Sequence, residues 1–281
     1  MTKVLITGAR GQLGQALLQS RPRWANVKAV STSDVDLVDE ARLSEFIAAE
    51  RPDILINTAA YTMVDQAERE EALAFAVNAK AVKTMSNAMQ GVGGKLIHIS
   101  TDFVFDGSSA RAYRPNDQRG PINVYGRSKA AGEDYLQSSD LLVRTSWLYA
   151  PAGTNFVRTM IRMMEERREL KVVADQFGCP TLAEGLAETL WGLTELGVHG
   201  KFHYCDGGST NWYEFAVAIA EECQKLGKIT DQPVINPIRA SEYVSQAKRP
   251  AVSMLDCSET WALLGRKAPH WRSNLRRMLL G

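Results

Sequence analysis

Short apolar runs alternate with longer amphipathic stretches through the first half of the chain. "KVLIT" (3–7), "VKAVS" (27–31), "DILINTAA" (53–60), "KLIHIS" (95–100) and "DLLVRTS" (140–146) are continuous and apolar, the pattern of strands buried on both faces. Between them, "GQLGQALLQS" (11–20), "ARLSEFIAAE" (41–50), "EEALAFAVNAKAVKTMSNAMQ" (70–90) and a run starting near Tyr125 carry helical periodicity. This alternation predicts a parallel sheet covered by helices on both sides, the doubly wound α/β class.

Beyond about residue 150 the pattern loosens. Helical runs at 155–170, 182–196 and 211–227 are separated by strand-like "KVVAD" (171–175) and "KFHYC" (201–205). Pro233, Pro237, Pro250 and Pro269 punctuate the tail. The expected organisation is a sheet domain over 1–149 and a smaller annex over 150–281, with elements of about 182–205 returning to the sheet.

Composition changes this picture little. The chain has 281 residues and a formal net charge of +1, so no charge excess points to nucleic acid or an anionic membrane surface. No apolar run approaches the roughly 20 residues that span a bilayer. "MTKVLITGARG" lacks the long apolar core of a signal peptide. Cys179, Cys205, Cys223 and Cys257 form no C-x-x-C pair and no zinc spacing. The expectation is a cytoplasmic protein with reduced cysteines and no metal.

Chemistry enters at the first turn. "TGARGQLG" puts Gly8, Gly11 and Gly14 directly after a strand and into a helix, with Arg10, Gln12 and Leu13 among them. Glycines there allow a sharp turn, close approach to a pyrophosphate and tight helix–sheet packing, while the helix start offers free N–H groups. The second strand runs into Ser31 and Thr32, with no carboxylate before Asp34. An NAD site would place an acid there for the ribose 2′-OH. Arg10 instead suits a 2′-phosphate, so NADPH is the expected cofactor, with NADH possible. Asp36 and Leu37 are placed for adenine, and Ala59, Ala60 and Tyr61 for the cofactor path.

Tyr125 and Lys129 stand one helical turn apart in "INVYGRSKAAGE", and "HISTDFVFDG" ends a strand in hydroxyls and a carboxylate. Reducing a ketone needs a hydride at carbon and a proton at oxygen. A free phenol has a pKa of about 10. A nearby ammonium should lower it, making Tyr125 the general acid. Thr101 is expected to hydrogen-bond the carbonyl, with Ser100 on the opposite face by strand alternation.

The spacing G-x-x-G-x-x-G resembles the extended short-chain dehydrogenase/reductase superfamily. With "NTAAYTMVDQAE", "STDFVFDG", "PINVYGRSKAAGE", "RTSWLY", "NFVRTM", "ADQFGCPT" and "KRPAVS" added, the chain resembles the dTDP-4-dehydrorhamnose reductase family over most of its length. That resemblance implies a Rossmann domain with a smaller C-terminal substrate domain. It also implies NAD(P)H-dependent reduction of the C4 ketone of a dTDP-4-keto-6-deoxy sugar, with Tyr125, Lys129 and Thr101 as the catalytic group. Asp102, Asn123 and Trp147 fall beside the implied sugar site; Asn155, Gln176 and Arg249 are candidates for sugar, base and diphosphate. Phe156, Phe177, Trp191 and Trp212 are expected in the core, Asn78 and His98 as packed structural residues. Two rivals stay open: a non-catalytic NADP-binding regulatory subunit, and a sister nucleotide-sugar reductase or epimerase of this fold. Monomer and homodimer are both compatible with the sequence.

Overall fold

Five strands occupy the predicted apolar runs: β1 (Thr2–Thr7), β2 (Ala25–Val30), β3 (Ile54–Asn57), β4 (Lys95–Thr101) and β5 (Leu141–Thr145). The computed structural model describes residues 1–281. The strand Gly200–His203 joins beside β5, giving a six-stranded sheet ordered Gly200–His203, β5, β4, β3, β1, β2. Every pairing is parallel. The order reverses between β1 and β3, and open α/β sheets bind ligands at the carboxyl ends of strands flanking such a reversal.

Side-chain alternation divides the core. Val4 and Ile6 face one side, where α1 (Gln12–Gln19) and the helix Ala183–Glu195 contribute Leu13, Leu17, Leu186 and Leu190. Leu5, Leu55 and Leu96 face the other, against Leu43, Ile47, Met85 and Met89 from the helices Glu40–Glu50 and Ala81–Val92. A separate core built on Val157, Met160, Leu170, Phe215, Ile219 and Leu275 holds the annex together.

Three local features depart from expectation. The strand predicted over 53–60 ends at Asn57, because Asn57 turns its amide onto the backbone N–H of Ala59 (3.1 Å). The helix predicted over 70–90 contains a wide π turn at Ala76–Lys80. Inside that turn Asn78 holds the backbone of Tyr61 (2.9 and 3.1 Å) and donates to the Ser128 hydroxyl (3.0 Å), the structural role expected of it. The third departure is a strand at Val234–Ile238, parallel to Glu169–Val173, in a segment where prolines had indicated turns. The partnership has only two strands, so Pro237 can keep its N–H-less face outward.

Candidate active site

Asn123 caps the helix Val124–Glu133: its Oδ1 accepts from the Gly126 N–H at 2.7 Å, and its amide donates to the Lys248 carbonyl at 2.7 Å. Two glycines then press this helix into place. A Cβ on Gly126 would lie 2.2 Å from the Phe103 carbonyl oxygen, and one on Gly132 would lie 2.1 Å from that of Asn78. The helix is thereby held between the turn after β4 and the π turn, with Tyr125 and Lys129 toward the strand ends.

The Tyr125 ring meets Phe103 edge to face at 5.8 Å. Tyr125 and Thr101 line one cavity, and the Thr101 hydroxyl donates to Asp102 Oδ1 at 2.9 Å. Ser100 keeps a buried hydroxyl with no hydrogen-bond partner. Burial pushes the phenol up to about 12, with Thr101 lowering it and the Asp102 charge raising it. Burial also raises Asp102 to about 7, against the hydrogen bonds of Ser253 and Thr101. The depression of the phenol expected from an ammonium is not what the structure shows: burial raises it, and the Lys129 charge is not among the groups acting on it. Lys129 directs its Nζ to the Ile99 carbonyl at 2.6 Å and to His98 Nε2 at 3.2 Å, and burial lowers it to about 8.

A cavity of about 760 Å³ runs along the strand ends. Gly8, Arg10, Gly11, Gln12 and Leu13 form one wall, and Ser31, Ala59 and Ala60 continue it. Thr101, Asp102, Tyr125 and Lys129 form the floor, with Trp147 and Arg249 at the far end. Gly8 has φ +71°, and a Cβ there would lie 2.6 Å from the Ala59 nitrogen, so the close turn demands glycine. Gly11 stands at the N-cap of α1 with no side chain over the first turn, which leaves helix N–H groups uncapped beside the cavity.

Seven expected contacts lie outside this cavity. Gly14 packs on the turn, where a Cβ would sit 2.5 Å from the Gly8 carbonyl oxygen. Asp36 accepts from its own loop (Val38 N–H, 3.0 Å), and Leu37 is buried in the sheet core. Tyr61 points its hydroxyl to Glu70 at 2.7 Å. Asn123 is spent as a helix cap. Asn155 caps the helix Phe156–Glu166 and donates to Gln12 (2.8 Å) and the Ala150 carbonyl (2.9 Å). Gln176 lies in a second cavity.

That second cavity, of about 650 Å³, is lined by Phe156, Met160 and Met163 on one side and Lys171, Lys248 and Gln176 on another. It adjoins the first through Trp212 and Arg249, which line both. Arg249 Nη2 donates to Asp65 Oδ2 at 2.6 Å, holding that carboxyl well below the usual range. Trp147 stacks on Trp212 with centroids 3.5 Å apart and planes 9° apart. Its backbone is left-handed (φ +46°), a costly conformation for tryptophan, and a Cβ on Gly178 would sit 2.6 Å from its ring.

Trp212 and Phe156, both expected in the core, are only partly buried against it: both line the second cavity, and Trp212 stands between the two cavities. Phe177, also expected in the core, is 42% exposed. Trp191 (5% exposed) and His98 (0%) are packed as expected.

The family described as RmlD substrate binding domain matches residues 1–280. The dTDP-4-dehydrorhamnose reductase of Aggregatibacter actinomycetemcomitans is 36% identical over 99% of this chain and 98% of its own length. That of Burkholderia thailandensis is 38% identical over 96% and 95%. The crystal structure of dTDP-4-dehydrorhamnose reductase from Bacillus anthracis in complex with NADP superposes with a TM-score of 0.92, at 36% identity, covering 99% of both chains. With its sheet order, its glycine turn and similarity along its whole length, this chain belongs to the RmlD family, that of the dTDP-4-dehydrorhamnose reductases.

Proposed function

We propose that this protein uses NADPH to reduce the C4 ketone of dTDP-4-dehydro-L-rhamnose (dTDP-6-deoxy-L-lyxo-4-hexulose), giving dTDP-L-rhamnose, the last step of dTDP-rhamnose synthesis. One observation carries the reading: the cavity holding the glycine turn and Tyr125 shares Trp212 and Arg249 with an adjoining second cavity that has an apolar aromatic bay and three cations.

The first cavity suits a dinucleotide. Uncapped N–H groups of α1 and the close Gly8 turn fit a pyrophosphate. Arg10, Ser31 and Thr32 line its end; Asp34 lies just behind, accepting from the Ser31 N–H and hydroxyl (2.8 and 2.9 Å), so the support for a 2′-phosphate there is the Arg10 cation. Bound NADPH supplies the hydride. Lys129 holds the nicotinamide ribose. The second cavity suits a nucleoside diphosphate: Phe156, Met160 and Trp212 cover a flat base, and Lys171, Lys248 and Arg249 neutralise phosphates. The sugar then lies across Trp147 toward Tyr125.

Tyr125 gives its proton to the carbonyl oxygen as that oxygen gains negative charge, and Thr101 turns its hydroxyl proton from Asp102 to steady the phenolate left behind. A phenol pushed up to about 12 stays protonated at neutral pH, which suits reduction. Alcohol oxidation needs the phenolate, so the reverse reaction should strengthen as pH rises. The domain division at about residue 150 and a cytoplasmic location belong to this reading; no helix is long and apolar enough to cross a membrane.

The test supplies purified protein with NADPH and the 4-keto sugar nucleotide, follows loss of reduced nicotinamide and identifies the product. Stoichiometric NADPH binding without turnover would replace this reading with the regulatory-subunit one. A product other than the rhamnose nucleotide would favour a sister enzyme.

A further inference from the structure

One carboxylate ties the two cavities together. Asp65 stands on the short helix Val64–Ala67, at a turn where Thr62 and Val64 line the first cavity. It grips a strap that begins 180 residues further along the chain, the segment 245–249. From that strap Ser245, Ala247, Lys248 and Arg249 line the second cavity.

Four donors converge on Asp65. Oδ1 accepts from the Ser245 hydroxyl at 2.7 Å and from the backbone N–H groups of Gln246 and Ala247, both at 3.0 Å. Oδ2 accepts from Arg249 Nη2 at 2.6 Å. An ionised carboxylate has about four lone-pair sites, so these donors use it up and leave none for a ligand. Burial works against the ionised carboxyl, but Arg249 and the donors of the strap outweigh it and keep Asp65 an anion. The same contacts decide which protons Arg249 can offer. Its Nη1 donates to the Ser245 hydroxyl and leans toward the Ala247 carbonyl at 3.5 Å. The Nε–H and the other Nη2 proton have no acceptor in the chain, and the side chain is 22% exposed where the two cavities meet.

We propose that Asp65 is a positioning residue for the sugar nucleotide: it clamps the strap and fixes Arg249 with two N–H groups free for the substrate's diphosphate. The inference rests on the reading of the second cavity as a nucleoside diphosphate site. Removing the charge of Asp65 has two opposing effects. An unpaired Arg249 presents more net charge to a phosphate, but a loose guanidinium on a loose strap must be ordered at binding. Both partners are part-exposed, so solvent screens the charge effect, and the loss of ordering decides the sign. The other anchor of the strap, the Lys248 carbonyl held by Asn123, does not involve Asp65, so the Tyr125 helix keeps its cap.

Calorimetry with dTDP reads the clamp without turnover. Asp65→Asn should weaken dTDP by about tenfold, the worth of one charge-assisted hydrogen bond, and leave the NADPH dissociation constant unchanged. In turnover, KM for the sugar nucleotide should rise by a similar factor while kcat stays within about twofold. Because Asp65 acts through Arg249, adding Asp65→Asn to Arg249→Ala should cost little more than Arg249→Ala alone. Additive losses, an unchanged or tighter dTDP affinity, or joint loss of NADPH and dTDP binding would each overturn the proposal. Should Asp65→Asn not fold, Ser245→Ala removes only the hydroxyl between Asp65 and Arg249. It should weaken dTDP by about threefold, and an unmoved affinity there counts against the proposal equally. Wild-type protein that takes up no dTDP would remove the reading of the second cavity itself; dTDP bound equally by wild type and variant removes this inference alone.

Discussion

The two adjoining cavities are made differently. The cavity at the glycine turn has a frame of backbone, namely that turn, the start of α1 and the ends of β1, β3 and β4, each formed within a few consecutive residues, to which Tyr125, Lys129, Trp147 and Arg249 add side chains. The second cavity is built from side chains gathered from Ile122, 156–163, 171–176, Trp212 and 240–249, with no local motif in common. The first is rigid because the sheet dictates it. The second depends on packing, with Trp147 strained between Trp212 and Gly178. Backbone-made sites should respond to a lost functional group sharply and locally, and side-chain-made sites by graded loss of affinity.

The sharpest break of that contrast is Tyr125→Phe. It removes the proton donor and leaves both cavities in shape. Turnover should fall by about 10²–10⁴-fold, the usual worth of general acid catalysis, with NADPH affinity unchanged in a fluorescence titration. Comparable losses in both would mean that the phenol shapes the cavity.

Gly132→Ala tests how far the floor depends on close backbone contact. Its Cβ would strike the Asn78 carbonyl at the π turn, so denaturant unfolding should show a loss of about 1–3 kcal/mol. Unchanged stability would show that the two helices can part at no cost.

Trp212→Ala addresses the wall between the cavities. It should raise KM for the sugar nucleotide by about tenfold, as loss of an aromatic contact implies, while the dissociation constant for NADPH stays put. If both rise together, the cavities are one site energetically.

The smallest effect is expected from Arg10→Ala. Arg10 is exposed and donates only to Ser33 at 3.4 Å, so NADPH should weaken by several-fold relative to NADH, roughly one solvent-exposed charged hydrogen bond. Equal weakening of the two would remove the 2′-phosphate contact.

Legibility in the sequence follows the same division. The strands, Gly8 and Gly11, and the Tyr125–Lys129 pair were readable because periodicity and motif spacing are properties of neighbours in the chain. Asn123 and Asn155, expected at the sugar or base, cap helices here: an asparagine before a helix serves either purpose, and only the fold shows its amide occupied. Tyr61 failed likewise: its backbone follows the strand end, but its hydroxyl was claimed by Glu70.

What the amino-acid order determined alone was the sheet, its glycine turn and the helical phase that puts Tyr125 and Lys129 together, because backbone geometry repeats over a few residues. The tertiary structure decided the protonation setting of that pair. Burial raises the phenol and lowers the lysine, against the opposing pulls of Thr101 on the one and Glu133 on the other, and burial is a sum over atoms far apart in the chain. It also decided that Trp212 is a wall and not core, since a helix face has meaning only once something is packed, or left open, against it.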